Sequence, residues 1–141
     1  MNNTPLQIKT CYSLLQSLND IKKLVSYASK LGYKSLAITD SNNMFGVVEF
    51  YNECKKNNIK PIIGIELNIE DKKILLYAIN NNGYKNLIKL STLITEHPLT
   101  KEDLINHKED LILVIPYEYF NDIIILSVKG VESKWTRHHY K

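Results

Sequence analysis

The sequence predicts an α/β fold with mainly parallel strands and helices packed outside them, and three observations carry that reading. A unit of helix, turn, lysine, strand and acid is written twice, as LGYKSLAITD and NNIKPIIGIE, ending in Asp40 and Glu66. Glu66 follows Asp40 by 26 residues, about the length of one α/β unit, so consecutive strands are expected parallel in one sheet. Apolar residues at helical spacing also alternate along the chain with short runs suited to buried strands.

The elements follow in order. Residues 5–9 (PLQIK) read as a short strand, and Ser17 with Asp20 resembles a capping box. Leu18, Ile21, Leu24, Val25, Ala28 and Leu31 recur at helical spacing, and Gly32 offers a left-handed stop, which predicts a helix over 18–31. Leu36-Ala37-Ile38 is the next strand. A second helix carries Val47, Val48, Phe50, Tyr51 and Cys54 and stops at Asn57-Asn58. Pro61 to Ile65 forms a strand ending in Glu66, and Ile74 to Ile79 another. A turn through 80–83 leads to a helix over 84–95, and Thr100 with Asp103 caps a short one. Strands close the pattern at 111–115 and 123–128.

With 141 residues, 44% hydrophobic and 23% charged, the chain suits one globular domain with a core of its own. No apolar stretch approaches the roughly 20 residues that span a bilayer, and MNNTPLQIK lacks the pattern of a signal peptide, so the expected location is cytoplasmic with no membrane partner. Cys11 and Cys54 stand too far apart for a zinc knuckle and are expected as reduced thiols in or near the core. The net charge of +3 sits in pairs such as Lys22-Lys23, Lys55-Lys56 and Lys72-Lys73, which fit solvated element ends better than one dense patch. Isolated glycines exclude P-loop and dinucleotide-binding signatures. Residues 127–141 hold the only Trp and the only Arg, a shift that sets them apart as an exposed tail beyond a domain at 1–126.

Parallel strands bring both acids to the edge where ligands bind in α/β sheets. Asp40 and Glu66 could there share a hard cation such as Mg²⁺ or Mn²⁺. Alternatively, Asp40 before Ser-Asn-Asn makes an Asx-turn or satisfies backbone N–H groups at the following helix start. Glu66 is equally a solvated strand end or the partner of a lysine. His97 and His107 flank a short helix, away from the repeated unit.

YSLL (12–15), DIKKLVSYASKLGYKSLAITDSNNMFGVVEFYNECKKNNIKPIIGIEL (20–67) and LLYAINNNGYKNLIKLST (75–92) together resemble one family, the N-terminal PHP (polymerase and histidinol phosphatase) domain of bacterial DNA polymerase III alpha subunits. The match runs from about residue 5 to residue 115. It implies a distorted seven-stranded (βα) barrel, here a partial one. Where the site is intact, it implies metals (Mg, Mn or Zn) at the strand ends that support a phosphoesterase or exonuclease.

Carried over residue by residue, the resemblance places Gln7 and Lys9 where the family's opening His-x-His stands, and Ser41 where the histidine after Thr-Asp stands. Glu66 holds the glutamate position. A Lys9 ammonium at such a site repels a dication, or replaces one of its charges by pairing with Asp40 or Glu66. The expectation is therefore a degenerate site at Gln7, Lys9, Asp40, Ser41 and Glu66, with no metal, no cofactor and no catalytic residue. The implied role is structural or partner-docking, the partners being the rest of the polymerase chain, holoenzyme subunits or a proofreading exonuclease, with DNA met through the parent enzyme. The palm carboxylates of nucleotidyl transfer are not in this sequence. The rival reading is a divergent metal-dependent phosphoesterase that recruits His97 or His107.

Overall fold

The computed structural model describes residues 3–13 and 17–116. In chain order it contains α1 (Ile21–Lys30), β1 (Ser35–Ser41), α2 (Val47–Lys56), β2 (Lys60–Ile69), β3 (Lys72–Ala78), α3 (Asn81–Glu96), α4 (Lys101–Asn106) and β4 (Leu111–Val114). The strands form one sheet in the order β1-β2-β3-β4. The expected strand at 123–128 and the tail at 127–141 lie outside the described residues.

β1 and β2 are parallel, as the repeated unit requires, with Ser35 opposite Lys60 and Ser41 opposite Glu66. β2–β3 and β3–β4 are antiparallel, which corrects the expectation of a mainly parallel sheet. The reason is the connection between β2 and β3. Only Glu70 and Asp71 separate them, both at positive φ (49° and 65°), so the chain reverses in a two-residue hairpin and has no length for a crossover helix.

Alternation along the strands gives the sheet two unlike faces. Leu36, Ile38, Ile65, Leu67, Ile74 and Leu76 point to the face covered by helices. Leu36 and Ile38 pack with Val25 of α1 and Phe50 of α2, whereas Ile65, Leu67 and Leu76 pack with Leu87 and Leu90 of α3. The other face carries Thr39, Ser41, Gly64, Glu66, Leu75 and Tyr77, with Ile112 and Val114 at its β4 side. Gly64 is required there. The Tyr77 ring lies against it, a Cβ at Gly64 would stand 2.7 Å from that ring, and the Tyr77 hydroxyl donates to the Leu6 carbonyl beyond β1.

Several boundaries move. Residues 5–9 form no regular strand. They lie beside β1, tied to it by backbone bonds from Ala37 N–H to Pro5 O (3.1 Å) and from Thr39 N–H to Ile8 O (2.8 Å). The helix expected over 18–31 shortens to α1, because Asp20 is the N-cap and accepts from Lys23 N–H, while Ser17 donates to Lys9 O. Leu18 stands 98% exposed, outside the helix, and Gly32 supplies the expected stop at φ 83°. The anticipated turn at 80–83 is the first turn of α3, with the Asn80 side chain accepting from Gly83 N–H. The Thr100–Asp103 capping box is present. Cys54 is buried, and burial pushes its thiol up to about 11, but Cys11 is exposed rather than near the core.

Candidate functional site

β1 and β2 each continue past the acid that was expected to end them, so Asp40 and Glu66 lie inside strands. Asp40 stands opposite Ile65, and Glu66 stands opposite Ser41. One residue of register turns the two carboxylates to opposite faces of the sheet.

Asp40 is 2% exposed. Its Oδ1 accepts from Thr10 N–H (2.6 Å) and from Ser13 Oγ (2.6 Å), and its Oδ2 accepts from Thr10 Oγ1 (2.7 Å). Ser13 Oγ in turn accepts from Ser41 N–H at 3.0 Å. Charge-assisted bonds of this kind are short and strong, and together they tie residues 10–13 to the end of β1. The expectation that Asp40 caps the following helix is thereby corrected: the N-cap of α2 is Gly46, with no side-chain cap bond. The turn between them is held by Asn43, whose Nδ2 donates to Tyr12 O and whose Oδ1 accepts from Phe45 N–H.

Glu66 is 5% exposed, and its Oε1 accepts from Lys9 Nζ (3.0 Å) and from Ser41 Oγ (3.1 Å). Of the open alternatives for Glu66, the structure selects the lysine partner. Lys9 is itself mostly covered, its side chain 21% exposed against 6% for Glu66, so the pair meets in a poorly solvated setting where each charge needs the other. Gln7 is exposed. With Ile8, Lys9, Ser17, Asn19 and Leu24 it lines an open cleft of about 440 Å³. Ser17 Oγ and Asn19 Nδ2 both donate to Lys9 O.

This donor set does not fit a divalent cation. A metal centre of the implied kind uses several carboxylates or imidazoles converging on one point. Here an ammonium occupies one carboxylate, three protons occupy the other, and the remaining positions are an amide and a hydroxyl. Among the described residues no group of three or more His, Cys, Asp or Glu is arranged to hold a metal. The histidines invoked by the rival reading are engaged around α4: His97 Nε2 lies 3.0 Å from Asp103 Oδ2, and His107 Nδ1 lies 2.9 Å from Asp103 O. Among the described residues no helix is long and apolar enough to cross a membrane.

Sequence reasoning found Lys9, Asp40, Ser41 and Glu66 and missed Thr10 and Ser13. Their hydroxyls lie in an irregular segment with no periodicity to mark them. The only available signal was a buried acid in need of donors.

Comparison with known proteins agrees with this architecture. The model of the PHP domain family matches residues 5–138. The DNA polymerase III subunit alpha of Halalkalibacterium halodurans is 41% identical over 83% of this chain and 11% of its own length. That of Bacillus subtilis is 37% identical over 84% of this chain and 12% of its own length. The chain thus spans about a tenth of the length of the curated relatives it matches. Among solved structures, an amidohydrolase from Chromobacterium violaceum, with bound sulfate and no metal, superposes with a TM-score of 0.56 at 18% identity, covering 67% of this chain and 34% of that one. That likeness concerns the fold alone. The family match covers nearly the whole chain and so settles its membership: the chain belongs to the PHP domain family.

Proposed function

We propose that this chain is the N-terminal PHP portion of a bacterial replicative polymerase alpha subunit, and that its former metal site works as a metal-free polar lock that braces the protein. The observation that carries the reading is the Lys9–Glu66 pair at 3.0 Å, an ammonium seated on the carboxylate that the family uses as a ligand. The Lys9 charge neutralises Glu66 as a cation would, while Thr10 and Ser13 stabilise the Asp40 carboxylate through hydrogen bonds without removing its charge. The brace has no catalytic residue and no resident cofactor. Its partners are the rest of the alpha chain and the subunits assembled on it, a proofreading exonuclease included, in the bacterial cytoplasm. The four described strands are part of a larger PHP barrel, residues 1–126 being the domain portion and 127–141 a tail.

Elemental analysis of the purified protein for Mg, Mn and Zn, together with a phosphoesterase assay, tests the lock. Metal well below one equivalent and no turnover are expected. Stoichiometric metal with turnover abolished in Asp40→Ala would overturn it. The size of the endogenous product tests the parentage. A band above roughly 100 kDa, far beyond one domain, is expected, and one near 16.3 kDa would contradict it.

A further inference from the structure

Lysines that are scattered in the sequence meet at one edge of the sheet. α1 ends at Lys30, the connection into β1 carries Lys34, α2 ends in Lys55-Lys56, and β2 opens with Lys60. Both helices run antiparallel to the strands they precede, so their C-termini come to the edge where β1 and β2 begin. The Lys60 N–H donates to Lys34 O at 2.9 Å, and Ser35 stands opposite Lys60, which fixes the two strand starts about 5 Å apart. All five lysines are exposed.

On this half of the edge Glu53, bonded to Lys56 at 3.3 Å, is the nearby acid among the described residues. Glu109 and Asp110 lie with Lys85 and Lys108 on the other half, where β3 ends and β4 begins, and Asp110 is held by Asn82. Two tyrosines stand beside the lysines. Tyr27, 64% exposed, is one turn before Lys30, and Tyr51, 45% exposed, lies under Lys55 with the ammonium 5.4 Å from the ring centre. The helix C-termini also concentrate negative backbone potential here, which favours lysines at these positions and offsets part of their charge.

We infer that this edge, formed by Lys30, Lys34, Lys55, Lys56 and Lys60 with Tyr27 and Tyr51, is a contact surface for the phosphate backbone of duplex DNA. A row of exposed ammonium groups complements a regular array of phosphates and reads no base, so the contact is sequence-independent and sensitive to salt. The choice of DNA as the polyanion rests on the reading of the chain as part of a replicative polymerase. The surface itself lies at the opposite end of β1 from the Asp40 network and is independent of the polar lock.

The test is a fluorescence-anisotropy titration of the 141-residue protein against a labelled 20-base-pair duplex between 50 and 200 mM salt. Binding that weakens steeply with salt is expected. In Lys34→Gln/Lys55→Gln/Lys60→Gln the log–log salt slope should become shallower by about 0.9 for each phosphate contact removed. Lys22→Gln/Lys23→Gln/Lys73→Gln removes the same charge from the opposite edge and should keep the parent slope, with circular dichroism confirming that both variants fold. Equal losses in the two variants, or no binding at 50 mM salt, would overturn the proposal. Displacement of the duplex by polyglutamate at equal charge concentration would overturn it in favour of an acidic protein surface. These outcomes leave the product-size result untouched, so failure of the DNA surface and failure of the polymerase reading are distinguishable.

Discussion

Asp40 shows how a buried carboxylate can be held by hydrogen bonds alone. A buried carboxylate without partners is costly, and this one has three protons directed at it from Thr10 and Ser13. In Asp40→Asn the charge is lost and one oxygen becomes an NH₂ group, so the remaining bonds weaken and a hydroxyl that must turn round to accept from it has its own proton stranded. The expected cost is about 2–3 kcal/mol. Urea unfolding should show a lower midpoint at unchanged slope, and an unchanged midpoint would mean that the network contributes nothing. Identity and position of the carboxylates were legible in the sequence because each ends a repeated unit. Their partners were not, because Thr10 and Ser13 lie about 30 residues away in a segment without pattern.

At the scale of elements, packing explains what propensity leaves open. The Tyr77 ring crosses β2 only because Gly64 has no side chain. In Gly64→Ala the new Cβ would also lie 2.8 Å from the Leu76 backbone carbonyl, which cannot swing aside as a side chain could. A loss of about 1–3 kcal/mol is expected, read as a lower thermal midpoint, and a variant as stable as the parent would refute the close contact. The short helix α4 depends instead on pH. Backbone bonding from Thr100, followed by the His97 contact, holds the Asp103 carboxyl below its usual value. A depressed folded value means that this contribution is complete above the ordinary carboxylate range and is lost as pH falls through the lowered value. Amide exchange in 101–106 should therefore accelerate in acid before the rest of the described chain, and Asp103→Asn should remove that pH dependence. The Thr-x-x-Asp signature was readable from the sequence because a capping box is local. The boundaries of α1 and α3 were misread because Ser17 and Asn80 each offered a second plausible role.

For the whole molecule, the decisive feature is a sheet on which the described helices all pack against one face. Ile112 is 52% exposed and Val114 41%, both on the face that no described helix covers and on β4, the outermost strand among the described residues. An edge strand with apolar side chains is a template for pairing with another chain. Self-association that grows with concentration is expected in sedimentation velocity, and Ile112→Lys should shift the protein toward monomer. A sharply monomeric parent at high concentration would contradict the expectation.

The sequence by itself determined the α/β class, the parallel pairing of β1 with β2, the α4 cap and the Gly32 stop, since each of these is written in local spacing or in a repeated motif. Only the tertiary structure decided that β3 and β4 run antiparallel, that Lys9 chooses Glu66 while Thr10 and Ser13 serve Asp40, and that five dispersed lysines share one edge. The physical reasons differ. A one-residue register offset and the meeting of helix ends are relations between segments distant in the chain, and a pattern read along the chain carries no distance across it; the β2–β3 hairpin is local, but its Glu70-Asp71 turn lacks the Asn-Gly or Asp-Gly pair that marks a two-residue hairpin in a sequence.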